Sequence, residues 1–269
     1  METGKITVEK VNGKSTVTRC FSKYPLKFII PMKVVPSKTD AVWIYTLTYG
    51  GGIVSVYKSL GSKCSEQFLE ARIGSDSLLA VIPDPVTCFS TARYSQKQVF
   101  RVLSDSSLVI VDWITSGRHE SGEKWDFEFY KSTNNIFLDH DQPLFLDTVF
   151  LEQGKIATIT ERMHGYQVVA MVIILGPKLK HIQTQVQENV KRIMSEQLHM
   201  PFTGLGGHTK SNSSICFTKP PFIASCSLFG PKGVGVVVRI GALTTESVYK
   251  FLQQQLAGLE PLIGVLPYR

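Results

Sequence analysis

A series of short β-rich segments, separated by turn-forming residues, recurs along the chain and constrains its fold more than any other feature. The first two segments, 6–11 and 15–21, flank Asn12-Gly13, a dipeptide typical of two-residue β-hairpins. The strands predicted after this hairpin are 41–49, 68–73, 78–82, 98–103, 108–111, 125–130, 145–151, 167–175, 223–229 and 234–240. Such closely spaced strands predict a mainly β fold.

Two segments have helical rather than strand periodicity. Residues 178–198 carry apolar side chains at helical spacing, with polar residues elsewhere. In 245–259 the apolar residues share one face, behind an N-cap at Thr244 or Thr245. We therefore expect two α-helices, and, since no change of composition marks a domain boundary, a single domain over 1–269.

Composition and charge exclude several classes of protein. The 269 residues are 43% hydrophobic, enough for a sizeable core, and the net charge of +7 includes no block of five like charges, which argues against nucleic-acid binding. The longest apolar run, 168–175, is too short to cross a bilayer, and no apolar signal segment follows the first residues. Five cysteines without a Cys-x-x-Cys pair favour reduced thiols. We expect a cytoplasmic protein with neither a nucleic-acid nor a membrane partner.

The segment between the predicted strands 108–111 and 125–130 is the most unusual part of the chain. It combines glycines, tryptophans and several charged side chains, and loops held by strands are frequent places for function. For Arg118 and Glu123 an ion pair that stabilises the loop is as good an explanation as partner binding. The candidates here for partner contact or metal passage are Asp112, Gly117, Arg118, His119, Glu120 and Glu123.

Four motifs together resemble one known family. They are Thr48-Tyr-Gly-Gly-Gly-Ile-Val-Ser55, Pro83-Asp-Pro-Val-Thr-Cys-Phe-Ser-Thr-Ala-Arg-Tyr-Ser-Gln96, Gly117-Arg118 with Glu123, and Asp147-Thr-Val-Phe150. This combination, within agreement over nearly the whole chain, resembles the urease accessory protein D family (UreD), and especially its plant members. It is far more specific than any single motif.

The resemblance implies a non-catalytic scaffold. Members of this family bind apo-urease and a helical partner, UreF, which recruits the nickel-carrying GTPase UreG. Hydrolysis of GTP then releases nickel into the urease active site. The family member supplies the contact with urease and an internal passage for nickel, and holds no tightly bound cofactor. The implied fold is an elongated, β-helical stack of strands with two helices.

One departure from the family pattern follows Ser55. In the family this motif continues with Gly-Asp and a strand-rich stretch, whereas here Ser55 runs directly into Val56-Tyr-Lys-Ser-Leu60. A block is therefore predicted to be missing, through splice variation or an omitted exon. Loss of consecutive strands exposes the edges of their neighbours, so a non-functional splice form is one alternative.

The remaining candidates have simpler structural explanations. Nickel accepts imidazole, thiolate and carboxylate ligands, which makes Cys88 a weak metal candidate, although a free cysteine is more often a small buried apolar residue. The Asp139-His140-Asp141 run is better explained as a solvated turn. Arg93 is a candidate for a partner contact or a structural ion pair.

Signals for an enzyme are weak. The sequence has no His-Glu-x-x-His, Gly-x-Ser-x-Gly or Gly-x-x-x-x-Gly-Lys-Ser/Thr motif. The glycine-rich segment 230–235 precedes a β-branched strand, so it indicates a hairpin turn rather than a phosphate loop. The alternative enzyme is a hydrolase that uses Cys88 and His119.

Overall fold

The computed structural model describes residues 4–24, 26–31, 40–48, 64–118, 121–139, 141–198 and 220–268. The strands among them are β1 Gly4–Val11, β2 Lys14–Ser22, β3 Leu26–Ile29, β4 Tyr45–Thr48, β5 Ser65–Arg72, β6 Leu78–Val81, β7 Val86–Thr87, β8 Arg93–Val102, β9 Ser107–Thr115, β10 Phe129–Leu138, β11 Gln142–Glu152, β12 Val168–Leu175, β13 Phe222–Phe229 and β14 Gly235–Ala242. The helices are α1 Ile159–Met163, α2 Lys180–Leu198, α3 Thr245–Leu256 and α4 Glu260–Ile263. The prediction of a mainly β fold is confirmed.

Two large sheets face each other, and the chain alternates between them. One sheet has the strand order β11-β10-β8-β5; the other has the order β13-β14-β12-β9-β6, with β7 also paired to β9. Strands β5, β8 and β10 are parallel in the first sheet, and β6 and β9 are parallel in the second. The described strands thus form open sheets, and the β-helical architecture that the resemblance implies is not confirmed.

Strand β9 is buried on both faces because it lies between layers. Leu108 and Ile110 belong to the core between the two sheets. Val109 and Val111 belong to the core on the opposite face, which helices α2 and α3 cover. A strand covered on both faces needs a continuous apolar run, which explains this part of the sequence.

Local sequence signals predicted the first hairpin and the two long helices. Asn12 and Gly13 have φ values of 52° and 75°, as a type I′ turn between β1 and β2 requires. Helix α3 begins after Thr244, whose hydroxyl oxygen accepts a hydrogen bond from the backbone N–H of Ser247. A 3-10 turn, Pro177–Leu179, leads into α2, so the predicted helix boundaries are confirmed within a few residues.

The predicted strand at 125–130 is wrong. Trp125 has a φ of 61° and β10 begins only at Phe129. Trp125 and Phe127 are both buried in an apolar cluster at one end of the sheets. The apolar and charged residues alternate here because an irregular segment inserts two rings into the core, not because the segment is extended.

Several predictions fall on residues outside the described ranges: His119, Glu120, His140, the glycine run 50–52 and the join after Ser55. The assignment of 1–269 to a single domain also stays a prediction. Among the described residues, no helix is long and apolar enough to cross a bilayer.

Candidate functional site

Asp112 lies within a strand rather than in the loop to which the sequence assigned it. Strand β9 continues to Thr115, so Asp112 follows Leu108 and Ile110 on the face that meets the four-stranded sheet. Its side chain is 6% exposed. A carboxylate is therefore placed inside the sandwich, where burial of a charge requires compensating polar partners.

Three donors from the four-stranded sheet surround the Asp112 carboxylate. Gln96 Nε2 donates over 2.8 Å and Asn134 Nδ2 over 2.6 Å, and Ser132 Oγ donates as well. The parallel register of β8 and β10 sets Gln96 opposite Ser132. Tyr94 OH donates in turn to Gln96 Oε1 over 3.1 Å. We call Tyr94, Gln96, Asp112, Ser132 and Asn134 the interior polar cluster.

The interior polar cluster is incompletely satisfied. Burial raises the pKa of the Asp112 carboxyl, and the hydrogen bonds from Ser132, Asn134 and Gln96 partly oppose that rise. Asn134 Oδ1 is buried and accepts no hydrogen bond from any described residue. A cation would offset the cost of the buried negative charge and use the vacant oxygen lone pairs.

A cavity of about 70 Å³ adjoins Asp112 between the two sheets. Tyr130 and Asp147 line it from one sheet, and Met171 and Arg239 from the other. Arg239 and Asp147 form an ion pair of 2.7 Å that joins the sheets. Because the Arg239 side chain is 51% exposed, this ion pair lies at the rim of the cavity.

The loop after β9 is stabilised by an ion pair. Arg118 Nε donates to Glu123 Oε2 over 3.2 Å, Arg118 Nη2 donates to Glu123 Oε1, and the backbone N–H of Arg118 donates to Oε2. The guanidinium also lies over the Phe89 ring, 4.3 Å from its centroid. Gly117 has a φ of 125°, and a Cβ there would lie 3.1 Å from the Cβ of Glu123. This geometry supports the structural explanation of Arg118 and Glu123.

We expect Glu123→Gln to lower the free energy of unfolding by about 1–2 kcal/mol, because it removes charge-assisted hydrogen bonds from a largely buried group. The hydrogen bonds from Arg118 lower the pKa of Glu123, so this contribution should be present at neutral pH and fade as the pH falls below 4.5. Urea denaturation at several pH values measures both effects.

Glu246→Gln is the matched control, since Glu246 pairs with Lys250 on the exposed surface of α3, where such pairs contribute little. Equal losses in the two variants would contradict the prediction for Glu123.

The other predicted site residues are held in structural contacts. Arg93 pairs with Glu128 at 3.3 Å and lies 5.2 Å from the Phe129 ring centroid. Asp141 is exposed in the turn between β10 and β11 and pairs with Arg101, as expected for a solvated turn. Within the described ranges no three His, Cys, Asp or Glu residues are grouped so as to hold a metal.

Cys88 lacks the features of an activated nucleophile. It is 1% exposed, and burial raises the pKa of its thiol to about 12. A neutral thiol is a weak nucleophile, because the thiolate is the reactive form. The prediction that Cys88 is a small buried apolar residue is confirmed.

Sequence reasoning missed four members of the interior polar cluster. No sequence pattern indicated Tyr94, Gln96, Ser132 or Asn134. Polar residues on the buried face of a strand remove the alternation of apolar and polar residues by which a strand is recognised. The structure shows an alternation in β10, where Tyr130, Ser132, Asn134 and Ile136 are buried between exposed or half-buried residues.

A family model described as UreD urease accessory protein matches residues 55–268. The chain belongs to this UreD family. It is 62% identical to urease accessory protein D of Arabidopsis thaliana, with all of both chains covered. It is 55% identical to urease accessory protein D of Oryza sativa subsp. indica, with 99% of this chain and 95% of the relative covered. A bacterial UreD, from Anaeromyxobacter sp. (strain Fw109-5), is 26% identical, with 98% and 88% covered.

Membership of the UreD family agrees with the prediction of a non-catalytic accessory protein. The alignment with the Arabidopsis relative extends over 293 positions, 24 more than the 269 residues of this chain. The relative therefore has residues without a counterpart here, as a missing block requires. The position of that block after Ser55 stays a prediction.

Proposed function

We propose that this UreD-family chain is a non-catalytic assembly protein for urease maturation. It binds apo-urease and a UreF-type partner, through which a UreG-type GTPase delivers nickel, and the metal passes the interior polar cluster on its way to urease. Family membership supports the accessory role. The observation that carries the metal-passage part is the buried Asp112 carboxylate beside a cavity.

Transit requires a weak site, and the interior polar cluster has the chemistry of one. Carboxylate and amide oxygens are available from Asp112 and Asn134, but no thiolate or imidazole adds to them among the described residues around this cavity. Three hydrogen bonds already occupy the Asp112 oxygens, so a cation must compete with them. Burial raises the pKa of the Asp112 carboxyl, so protons compete with a cation for this group more strongly than at an exposed carboxylate.

The adjoining cavity supplies space for a hydrated cation. The cavity has a volume of about 70 Å³. A buried water molecule needs roughly 10–15 Å³ of such space, so a few water molecules fit inside. The ion pair between Asp147 and Arg239 lies at its rim. A nickel ion would therefore contact Asp112 from the cavity side while it keeps part of its water shell.

The loop after β9 has a different part in this proposal. Arg118 and Glu123 form an ion pair, and Arg93 forms another with Glu128. We assign partner contact to the segment between Arg118 and Glu123, which includes His119 and Glu120. In this arrangement Gly117, Arg118 and Glu123 position the contact surface rather than the metal.

A second candidate is a defective splice form of the same accessory protein. The 24 aligned positions without a residue in this chain favour it. Removing strands from a sheet exposes the edges of the neighbouring strands and part of the core. The two candidates differ in whether this chain, without the additional family block, supports the activation of urease.

The test is urease activity and nickel content in cells that lack their own UreD but express this chain with urease and the other accessory proteins. The proposal expects activity to be restored with nickel bound to urease. Restoration only by a version that carries the additional family block would establish the defective form. If neither version restored activity, the proposed function would be wrong.

A further inference from the structure

The hairpin formed by β1 and β2 concentrates much of the positive charge of the protein. Residues 4–31 contain a single acidic residue, Glu9, against six cationic residues, so this short segment has an excess of five positive charges in a chain of net charge +7. The six are Lys5, Lys10, Lys14, Arg19, Lys23 and Lys27. These charges are close together in the sequence, and the segment that carries them folds into β1, β2 and β3.

One face of the hairpin carries an exposed aromatic ring together with cationic residues. Phe21 is 46% exposed, and Lys5 is its direct cross-strand partner. Arg19 precedes Phe21 by two residues on the same strand and therefore shares its face. Lys23 Nζ lies 5.6 Å from the centroid of the Phe21 ring. We call Lys5, Arg19, Phe21 and Lys23 the hairpin face.

The opposite side of the hairpin contacts strand β3. A Cβ added to Gly4 would lie 2.6 Å from a methyl carbon of Leu26 and 2.7 Å from the ring of Phe28, so strand β3 covers that side. Gly4 neighbours Lys5 along the strand and so projects to the other side of the sheet. The hairpin face consequently points away from β3.

The cations of the hairpin face differ from the arginines of the large sheets in lacking carboxylate partners. Arg93, Arg101 and Arg239 are each paired with a carboxylate. Lys5, Arg19 and Lys23 form no ion pair with any residue in the part of the chain that the structure describes. Their charge remains available to an external acidic group.

We infer that the hairpin face docks an acidic surface of a protein partner. An exposed aromatic ring at the centre of a charged rim has the anatomy of a protein interface, in which the ring is buried and the rim charges orient the partner. Nucleic acid would instead need cations spaced along a phosphate backbone. The inference rests on the proposed function only for the choice of proteins to be tested.

The test compares a charge-reversed hairpin face with the unmodified chain. Purified apo-urease and the UreF-type partner serve as separate probes, and binding is measured at two salt concentrations. For one of these proteins, Lys5→Glu, Arg19→Glu and Lys23→Glu combined should weaken binding by about tenfold or more at low salt, and by less at high salt. Phe21→Ser alone should also weaken the same complex by about tenfold.

The matched control reverses three exposed lysines on other elements, Lys97, Lys131 and Lys191, and so changes the net charge equally. Circular dichroism and thermal unfolding establish that each variant folds. Equal effects of the two triple variants, or no effect of either, would overturn the inference while leaving the proposed function intact. Failure of the unmodified chain to bind either protein would overturn both.

A duplex DNA and vesicles containing phosphatidylserine provide two further probes. Little binding to them is expected. If charge reversal of the hairpin face abolished tight binding to either of them and left the protein complexes unchanged, the partner would not be a protein and the inference would be wrong.

Discussion

Asp112→Asn is expected to reduce urease activation by about tenfold or more while leaving the protein folded. The substitution preserves the shape of the side chain but removes the negative charge that would attract nickel in the interior polar cluster. It also relieves the cost of a buried charge, but the new amide NH2 group faces a donor from Gln96 or Asn134, so the two effects on stability oppose each other. Urease activity and nickel content in the complementation system measure activation, and urea denaturation measures stability.

The control for this variant is Asp105→Asn. Asp105 is an exposed carboxylate that accepts a hydrogen bond from Ser75 in a surface turn, so its loss should leave activation within about twofold. Full activation by Asp112→Asn would show that this carboxylate is not needed for metal transit. A variant that is both inactive and strongly destabilised would instead mark Asp112 as structural.

The same variant gives a prediction about pH. The folded protein raises the pKa of Asp112 above its ordinary value of 3.8, so between these two pKa values the folded state binds more protons than the unfolded state. The contribution of Asp112 to stability should therefore fall as the pH rises from 3.8 toward neutrality. Relative to Asp112→Asn, the unmodified protein should lose about 1.4 kcal/mol for each unit by which the pKa is raised. A constant difference across this range would contradict the raised pKa.

Gly176→Ala is expected to destabilise the protein by about 3–5 kcal/mol. Gly176 joins β12 to the 3-10 turn before α2, with φ 101° and ψ 168°, a conformation that is essentially restricted to glycine. A Cβ there would lie 2.2 Å from the carbonyl oxygen of Ser106 and 2.7 Å from the Cα of Ser107. Both are backbone atoms at the start of β9, so neither can move without disturbing the central strand. The free energy of unfolding in urea measures the loss.

Gly165→Ala separates backbone strain from steric overlap. Gly165 also has a positive φ, 87°, but an added Cβ would meet nothing within 4 Å. Its replacement should cost only about 1–2 kcal/mol, the penalty of the left-handed conformation. Losses of the same size at the two positions would mean that the close approach of Gly176 to β9 has no energetic consequence.

Structural features that depend on residues close together in the sequence could be predicted from the sequence. Asn12-Gly13 specifies the first turn because both residues adopt positive φ readily, and Thr244 caps α3 through a hydrogen bond three residues away. The apolar run in β9 indicated a strand correctly, although burial on both faces hid its true end at Thr115. The alternation of apolar and charged residues after Trp125 wrongly predicted a strand. An irregular segment that buries the rings of Trp125 and Phe127 produces the same sequence pattern as a half-buried strand.

The candidate site could be predicted only in part. Asp112, Arg118 and Glu123 were singled out, and Arg118 and Glu123 meet because they are five residues apart in one loop. The partners of Asp112 were not found, since Gln96 and Asn134 reach it from two other strands. Their approach depends on the register of parallel strands and on how two sheets face each other, and no local pattern encodes either.

The sequence by itself therefore determined the β-rich class, the two long helices, the first turn and, through its motifs, the UreD family. The tertiary structure alone decided that Asp112 is buried among hydrogen-bond donors, that Cys88 is a buried thiol with a raised pKa, and that Lys23 lies beside the exposed ring of Phe21. The reason is physical. Turns and helices are specified by interactions over a few residues, whereas burial, pKa shifts and surface charge depend on side chains that only the complete fold brings together.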